Sequence, residues 1–267
     1  LACLLGAMLA GAVWGLVPGF LKAVCNVNEV IACIMMNYIG MYGVNFLIQL
    51  TVFDSLKNQS LPVAENANAP KLGMDLIFRS GATASSANAG IFIAVLAGVV
   101  IYYLIEKTKF GYELKATGLN KNAAKYCGMA EKRNIILTLM ISGALAALGA
   151  AMFYLTGYEQ WQCTASSVPG MGFSGIAAAF LGGLHPIGTI LASFFIQHIT
   201  AGGAYVDKTM YCAQISDLIA AVIIYLCGFV LFMKYAMNSA IARREEKAIQ
   251  KAREAEAASA KQEGGDQ

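Results

Sequence analysis

Charge is what this sequence lacks most. Only 13% of its 267 residues are Asp, Glu, Lys or Arg, against about a quarter in an ordinary soluble domain. It has no GxxxxGK[ST] loop, so the chain does not itself cradle nucleotide phosphates. HExxH, GxSxG and the Cys/His spacings of metal sites are also missing, and zinc-protease and serine-hydrolase chemistry go with them. The seven cysteines (3, 25, 33, 127, 163, 212 and 227) contain no CxxC pair. They read as small buried hydrophobes, not as a disulfide framework or a metal site. The chain opens Leu1-Ala2-Cys3-Leu4, already in an apolar run, with no basic n-region and no cleavage site. The expectation is an N-terminally incomplete chain.

What is present is apolar. Hydrophobic residues make up 58% of the chain, glycines number 27, and the mean hydropathy is +0.59. In a bilayer every backbone N–H and C=O must be satisfied internally, so spanning segments are helices or closed barrels. The apolar runs here are continuous, not alternating, which selects helices. The fold class is therefore all-α, a polytopic transmembrane bundle of about seven segments, some broken by Pro or Gly. The segments are 1–24 (interrupted at Trp14 and Pro18-Gly19), 30–50, 89–105, 135–157, 170–184, 187–205 and 213–233. Residues 1–233 form the transmembrane domain, and 234–267 form a charged tail. Residues 51–88, with Pro62, Pro70 and the small-residue run Ser80–Asn88, read as an aqueous loop.

The distribution of Lys and Arg orients the chain. Residues 106–134 hold Lys107, Lys109, Lys115, Lys121, Lys125, Lys132 and Arg133, and the tail is comparably basic. Both are expected in the cytoplasm, with 51–88 outside. Four crossings between them satisfy this if 170–184 and 187–205 both cross. The first of these is short, so a re-entrant or tilted helix is the other possibility.

The basic connection interrupts the grease with GYELKATGLNKNAAKYCGMAEKRN, residues 111–134. Asn120 suits an N-cap and Gly128 a C′ position, with about two turns of helix between them. Leu119, Ala123, Tyr126, Cys127 and Ala130 share one face, and Lys121, Lys125 and Lys132 the other. So short a helix needs a surface to pack on, and Ala123 and Ala124 leave room for a close partner. A loop helix lying on lipid headgroups is the competing reading.

Polar residues at membrane depth are the other candidates. Asn26, Asn28 and Glu29 read either as the end of a broken helix facing a cavity or as a capped cytoplasmic turn. Asn37 and Asn45 lie eight residues apart, on nearly the same helical face, with Tyr38 and Gln49 flanking. Amides, a hydroxyl and a ring suit contact with a polar solute; interhelical hydrogen bonding is the alternative. Gln197 and His198 read as packing residues, His185 as a turn residue and Asp217 as an anchor of the last helix. Gly15–Gly19 and Gly183–Gly188 echo each other as Gly/Pro breaks of two repeats.

Several stretches resemble the permease subunits of prokaryotic ABC importers of the branched-chain amino acid/ribose/nucleoside type, most of all the nucleoside (guanosine/purine nucleoside) branch. They are W14-G-L-V-P-G-F-L-K-A23, N26-V-N-E-V-I31, M36-N-Y-I39, G111-Y-E-L-K-A116, G118-L-N120, A123-A-K-Y126, Gly128, G172-F-S-G-I-A177, Leu181-Gly182 and H185-P-I-G188. The resemblance implies that 106–134 is the coupling loop. Gly118, Asn120, Ala123, Ala124, Tyr126 and Gly128 would then meet the ATP-binding subunit. Asn28, Glu29, Asn37, Tyr38 and Asn45 would belong to the solute path.

The implied assembly is a multi-pass protein of the prokaryotic plasma membrane with its tail in the cytoplasm. Its partners are an ABC ATP-binding subunit, a second permease subunit (identical or homologous), an extracytoplasmic substrate-binding lipoprotein and the lipid bilayer, and not nucleic acid. The chain would be no enzyme and would carry no cofactor, with ATP and Mg used by the partner. The family's further N-terminal helices, with a motif resembling Asn-Ile-Gly-x-Glu-Gly-Gln, are not in this sequence. Rival functions are import of ribose, other sugars or branched-chain amino acids by the same fold, an ion-coupled secondary transporter, and a non-transporting membrane scaffold.

Overall fold

A computed structural model describes residues 2–64, 67–68, 90–157, 159–163, 168–205, 212, 215, 218–226, 228–229, 232–233 and 236–241. The run Ser80–Asn88, Asp217, Cys227 and nearly all of the charged tail lie outside them. The chain divides into two compact units, 1–170 and 171–267.

In the first unit, helix α1 (Ala2–Cys25) is followed by α2 (Glu29–Thr51), strands β1 (Phe53–Asp54) and β2 (Gln59–Ser60), and α3 (Gly90–Lys107). Two short helices come next, α4 (Lys109–Leu119) and α5 (Lys121–Tyr126), and then the long α6 (Glu131–Tyr154). Four of these, α1, α2, α3 and α6, are long and apolar enough to cross a membrane. At about 1.5 Å per residue each covers most or all of the hydrocarbon thickness.

Helix α1 runs unbroken through Pro18, so the interruption expected at Pro18-Gly19 does not occur. Close packing accompanies the proline. Gly11, Gly15 and Gly19 fall on one face at intervals of four, and that face lies directly on α6. A methyl added at Gly11 or Gly15 would run into the carbonyls of Gly143 and Leu139, and one at Gly19 would stand 3.2 Å from Ile136 Cα. Gly143 returns the contact onto Gly11 and Gly15. Small residues are what let two backbones approach in lipid, where no hydrophobic force drives helices together. The α1–α6 pairing is accordingly the most extensive between helices among the described residues.

Between α1 and α2 the chain reverses at Asn26, in the left-handed region with φ 52°. Asn28 then caps α2, its side chain accepting from Val30 N–H at 2.9 Å. Beyond α2, β1 and β2 pair antiparallel, with Phe53 opposite Ser60 and Asp54 opposite Gln59. Part of the loop expected in 51–88 is thus a hairpin. Gln59 also bridges to Gln162, which follows α6.

The second unit turns α7 (Met171–Leu181) back onto α8 (Pro186–Gly202). Ala177, Ala178, Ala192 and Ile196 form its buried cluster, with Leu181 and Ile224 against it. The reversal is tight: Gly183 and Leu184 both have positive φ (68° and 60°), and Gly182 and Gly188 leave no room for a methyl between them. Pro186 opens α8 and His185 is its N-cap residue, in the turn as expected. The two Gly/Pro stretches read as an echo are therefore unlike: one is mid-helix, the other a turn.

Burial is inverted relative to a soluble protein. Of the nine buried apolar residues described, seven are alanines. Large apolar side chains such as Leu9, Leu50, Leu96 and Phe194 stand more than 60% exposed. Lipid tails are as apolar as leucine, so large side chains gain little by facing inward and small ones pack the helices. The same reasoning corrects the reading of the cysteines. Of the six described, none is fully buried, and Cys3, Cys25, Cys127 and Cys212 are exposed.

Candidate functional site

Two places in the first unit gather the functional candidates. The first is a cavity of about 740 Å³ along α1, α2 and α6, within the range typical of small-molecule sites. The close α1–α6 contact makes its floor. Trp14 of α1, Asn37 of α2, and Ser142 and Tyr154 of α6 give it polar and aromatic character, and Ala, Gly, Cys33 and Met36 supply much of the rest. Among the described residues no charged side chain lines it. Trp14 also packs against α2, where a methyl on Gly40 would stand 3.3 Å from the indole. The cavity can thus offer an uncharged solute a flat ring, an amide and a hydroxyl.

The predicted path residues divide. Asn37 lines this cavity. Tyr38, one residue on, is 46% exposed and not among the lining residues. Asn45, near the far end of α2, accepts a hydrogen bond from Trp161 Nε1 at 2.6 Å. Asn28 and Glu29 lie at the other end, in the α1–α2 turn. Glu29 forms an ion pair with Lys22 of α1 at the turn that joins the two helices.

The second place is the 106–134 connection. The sequence announced α5 but not α4, which precedes it. Thr108 caps α4 by accepting from Gly111 N–H at 3.1 Å. A side chain at position 111 would collide with the carbonyls of Leu104 and Ile105. Glycine is what permits α4 to fold back so sharply beside the end of α3. The Lys115 ammonium pairs with Glu106 across the same corner.

Asn120 and Gly128 do what their residue types suggest. Asn120 accepts from Ala123 N–H at 3.1 Å, and Gly128 takes φ +77° after the last turn of α5. Ala123, Tyr126 and Leu119 are exposed, the latter two to about nine-tenths. Ala124 differs: at 3% exposure it packs against its own chain. It is not open to a partner, as the expected pairing with Ala123 required. A six-residue helix presents neighbours 100° apart, so one alanine faces in while the other faces out. Gly118, in the last turn of α4, is exposed with open space around it.

The connection is anchored to the bundle by a buried polar contact the sequence did not reveal. Asn134, at the base of α6 and 2% exposed, donates from Nδ2 to Thr117 Oγ1 at 3.1 Å. Thr117 in turn donates to Glu113 O at 2.7 Å. Beside them a smaller cavity of about 260 Å³ is lined by Lys22, Glu29, Thr117, Gly118 and Asn134. The α1–α2 turn and the 106–134 connection therefore occupy the same end of the bundle.

Comparison with known proteins gives a family match over residues 1–228, to the model described as branched-chain amino acid transport system / permease component. The chain is 33% identical over 236 residues to the guanosine ABC transporter permease protein NupP of Bacillus subtilis, covering 88% of this chain and 66% of that one. It is 31% identical over 249 residues to the nucleoside ABC transporter permease protein NupB of Lactococcus lactis, covering 91% and 67%. It is 29% identical over 245 residues to the glucose ABC transporter permease protein TsgB13 of Haloferax volcanii, covering 90% and 64%. The chain thus spans about two thirds of the length of these relatives. No solved structure matches it.

Proposed function

The chain belongs to the permease-component family of branched-chain amino acid transport systems, and from that premise we propose that it is the membrane-spanning subunit of an ATP-driven importer of nucleosides. The observation that carries the choice of solute is the uncharged cavity with Trp14 and Asn37 in its wall. An amino acid is a zwitterion, and burying two charges without partners costs several kcal/mol each. A nucleoside is neutral, has a flat base to stack and amide edges to pair. Glucose is neutral but gains less from an indole face, and the names of NupP and NupB weigh on the same side.

In this reading the 106–134 connection lies in the cytoplasm, the β1–β2 hairpin lies outside, and the charged tail is cytoplasmic. Helix α5 meets an ABC ATP-binding subunit, which binds ATP and Mg, and this chain holds no cofactor. A second permease subunit completes the path, and an extracytoplasmic lipoprotein delivers the solute. Ion coupling is disfavoured because Glu29, the acid it would need, is paired with Lys22 at the end of the bundle.

Competition for uptake tests this. Labelled adenosine entering cells through the complete transporter is displaced by unlabelled guanosine and not by leucine or glucose. Trp14→Ala raises the half-saturating concentration about tenfold, as loss of one aromatic–base stack implies. Displacement by leucine or glucose, with guanosine ineffective, contradicts the assignment.

A further inference from the structure

Asn45 stood among the candidates for solute contact, but the structure gives it another partner. We propose that Asn45 is a positioning residue acting through Trp161, and that the indole it holds closes the end of the cavity remote from the 106–134 connection. This rests on the reading of the cavity as the solute path.

The geometry is that of a strap set just beyond the lining residues, which include Tyr154 but neither Trp161 nor Asn45. Tyr154, the last residue of α6, lines the cavity. The Trp161 ring lies 6.1 Å from the Tyr154 ring, tilted by 56°, and its N–H reaches Asn45 on α2. One side chain thus spans from α6 to α2, two of the three helices that wall the cavity. The backbone beneath it is held separately. Ser60 N–H donates to Trp161 O at 2.9 Å, Cys163 N–H to Asn58 O at 3.1 Å, and Trp161 N–H to Ser60 Oγ at 3.2 Å. Gln59 Nε2 donates to Gln160 Oε1 at 2.8 Å. These bonds seat the segment on the hairpin, and the indole bond sets the ring. Gly157, at φ +76°, makes the turn out of α6 that brings the segment back. The ring is thus held by the Asn45 bond and the Tyr154 contact, separately from the bonds that hold its backbone.

Thiol accessibility tests this without transport, so the outcome does not depend on the solute. Cys33 lines the same cavity. In the assembled transporter, with the other six cysteines replaced by serine, a charged methanethiosulfonate labels Cys33 slowly. A companion chain keeping Cys163 alone identifies the side on which the strap lies, and the comparison is run from that side. Asn45→Leu, which removes the acceptor, speeds Cys33 labelling about tenfold, the scale set by one lost hydrogen bond. Asn45→Asp, which keeps an acceptor, restores the slow rate. Trp161→Phe matches Asn45→Leu, and the double variant is no faster than either. Equal rates in wild type, Asn45→Leu and Trp161→Phe would overturn the proposal, as would additive effects in the double variant.

Discussion

Gly15 has no room for a side chain, and the reason is the backbone of α6, five helices further along the sequence. Its missing methyl would occupy the place of the Leu139 carbonyl. Gly6, on the same helix, has open space around it. The two glycines make opposite predictions. Gly15→Ala forces α1 from α6 and costs about 1–3 kcal/mol, the usual scale of overpacking, read as a lower Tm in detergent. Gly6→Ala leaves Tm unchanged or slightly raised, since alanine is the better helix former by about 0.5–1 kcal/mol. Equal Tm values for the two variants would contradict the packing. The spacing of Gly11, Gly15 and Gly19 is visible in the sequence, but Pro18-Gly19 in the same run carries the local signal of a break. The caps at Asn120 and Gly128 were legible because capping joins residues three to five apart. The Asn134–Thr117 bond joins residues 17 apart across two turns of chain, and no local pattern announces it.

At the level of elements, α5 shows how burial refines a sequence argument. Its two alanines were equivalent on composition and are opposite in the fold. Ala123→Arg places a charged side chain on the exposed face. It releases the ATP-binding subunit in a co-purification from membranes, while the amount and Tm of the inserted chain stay the same. Ala124→Arg buries that charge at a position only 3% exposed and lowers the yield of folded chain instead. Retention of the ATPase by the Ala123 variant would remove α5 from the docking interface. Helix α4 escaped the sequence reading because its residues are of mixed polarity and its start depends on Thr108 and Gly111 meeting the end of α3. The α7–α8 pair was recognised as two pieces, but α7, at 11 residues, rises only about 17 Å, roughly half the hydrocarbon thickness. If both pieces cross, or if both enter and return on the same side, the tail finishes on the same face.

At the scale of the whole chain, the first unit carries both the cavity along α1, α2 and α6 and the capped helix α5. The all-helical membrane class was legible from composition alone, because long apolar runs with few charges admit no other spanning form. The cavity was only half legible. Asn37 was singled out, but Trp14, Ser142 and Tyr154 are brought to it by the α1–α6 contact, which pairs residues more than 100 positions apart. The most direct test of the central claim is the accumulation of labelled guanosine by cells carrying the complete transporter, with the proton gradient collapsed by an uncoupler and cellular ATP preserved. Accumulation that persists, and stops when ATP is depleted, is the predicted result. Loss of accumulation on uncoupling alone would contradict an ATP-driven nucleoside permease.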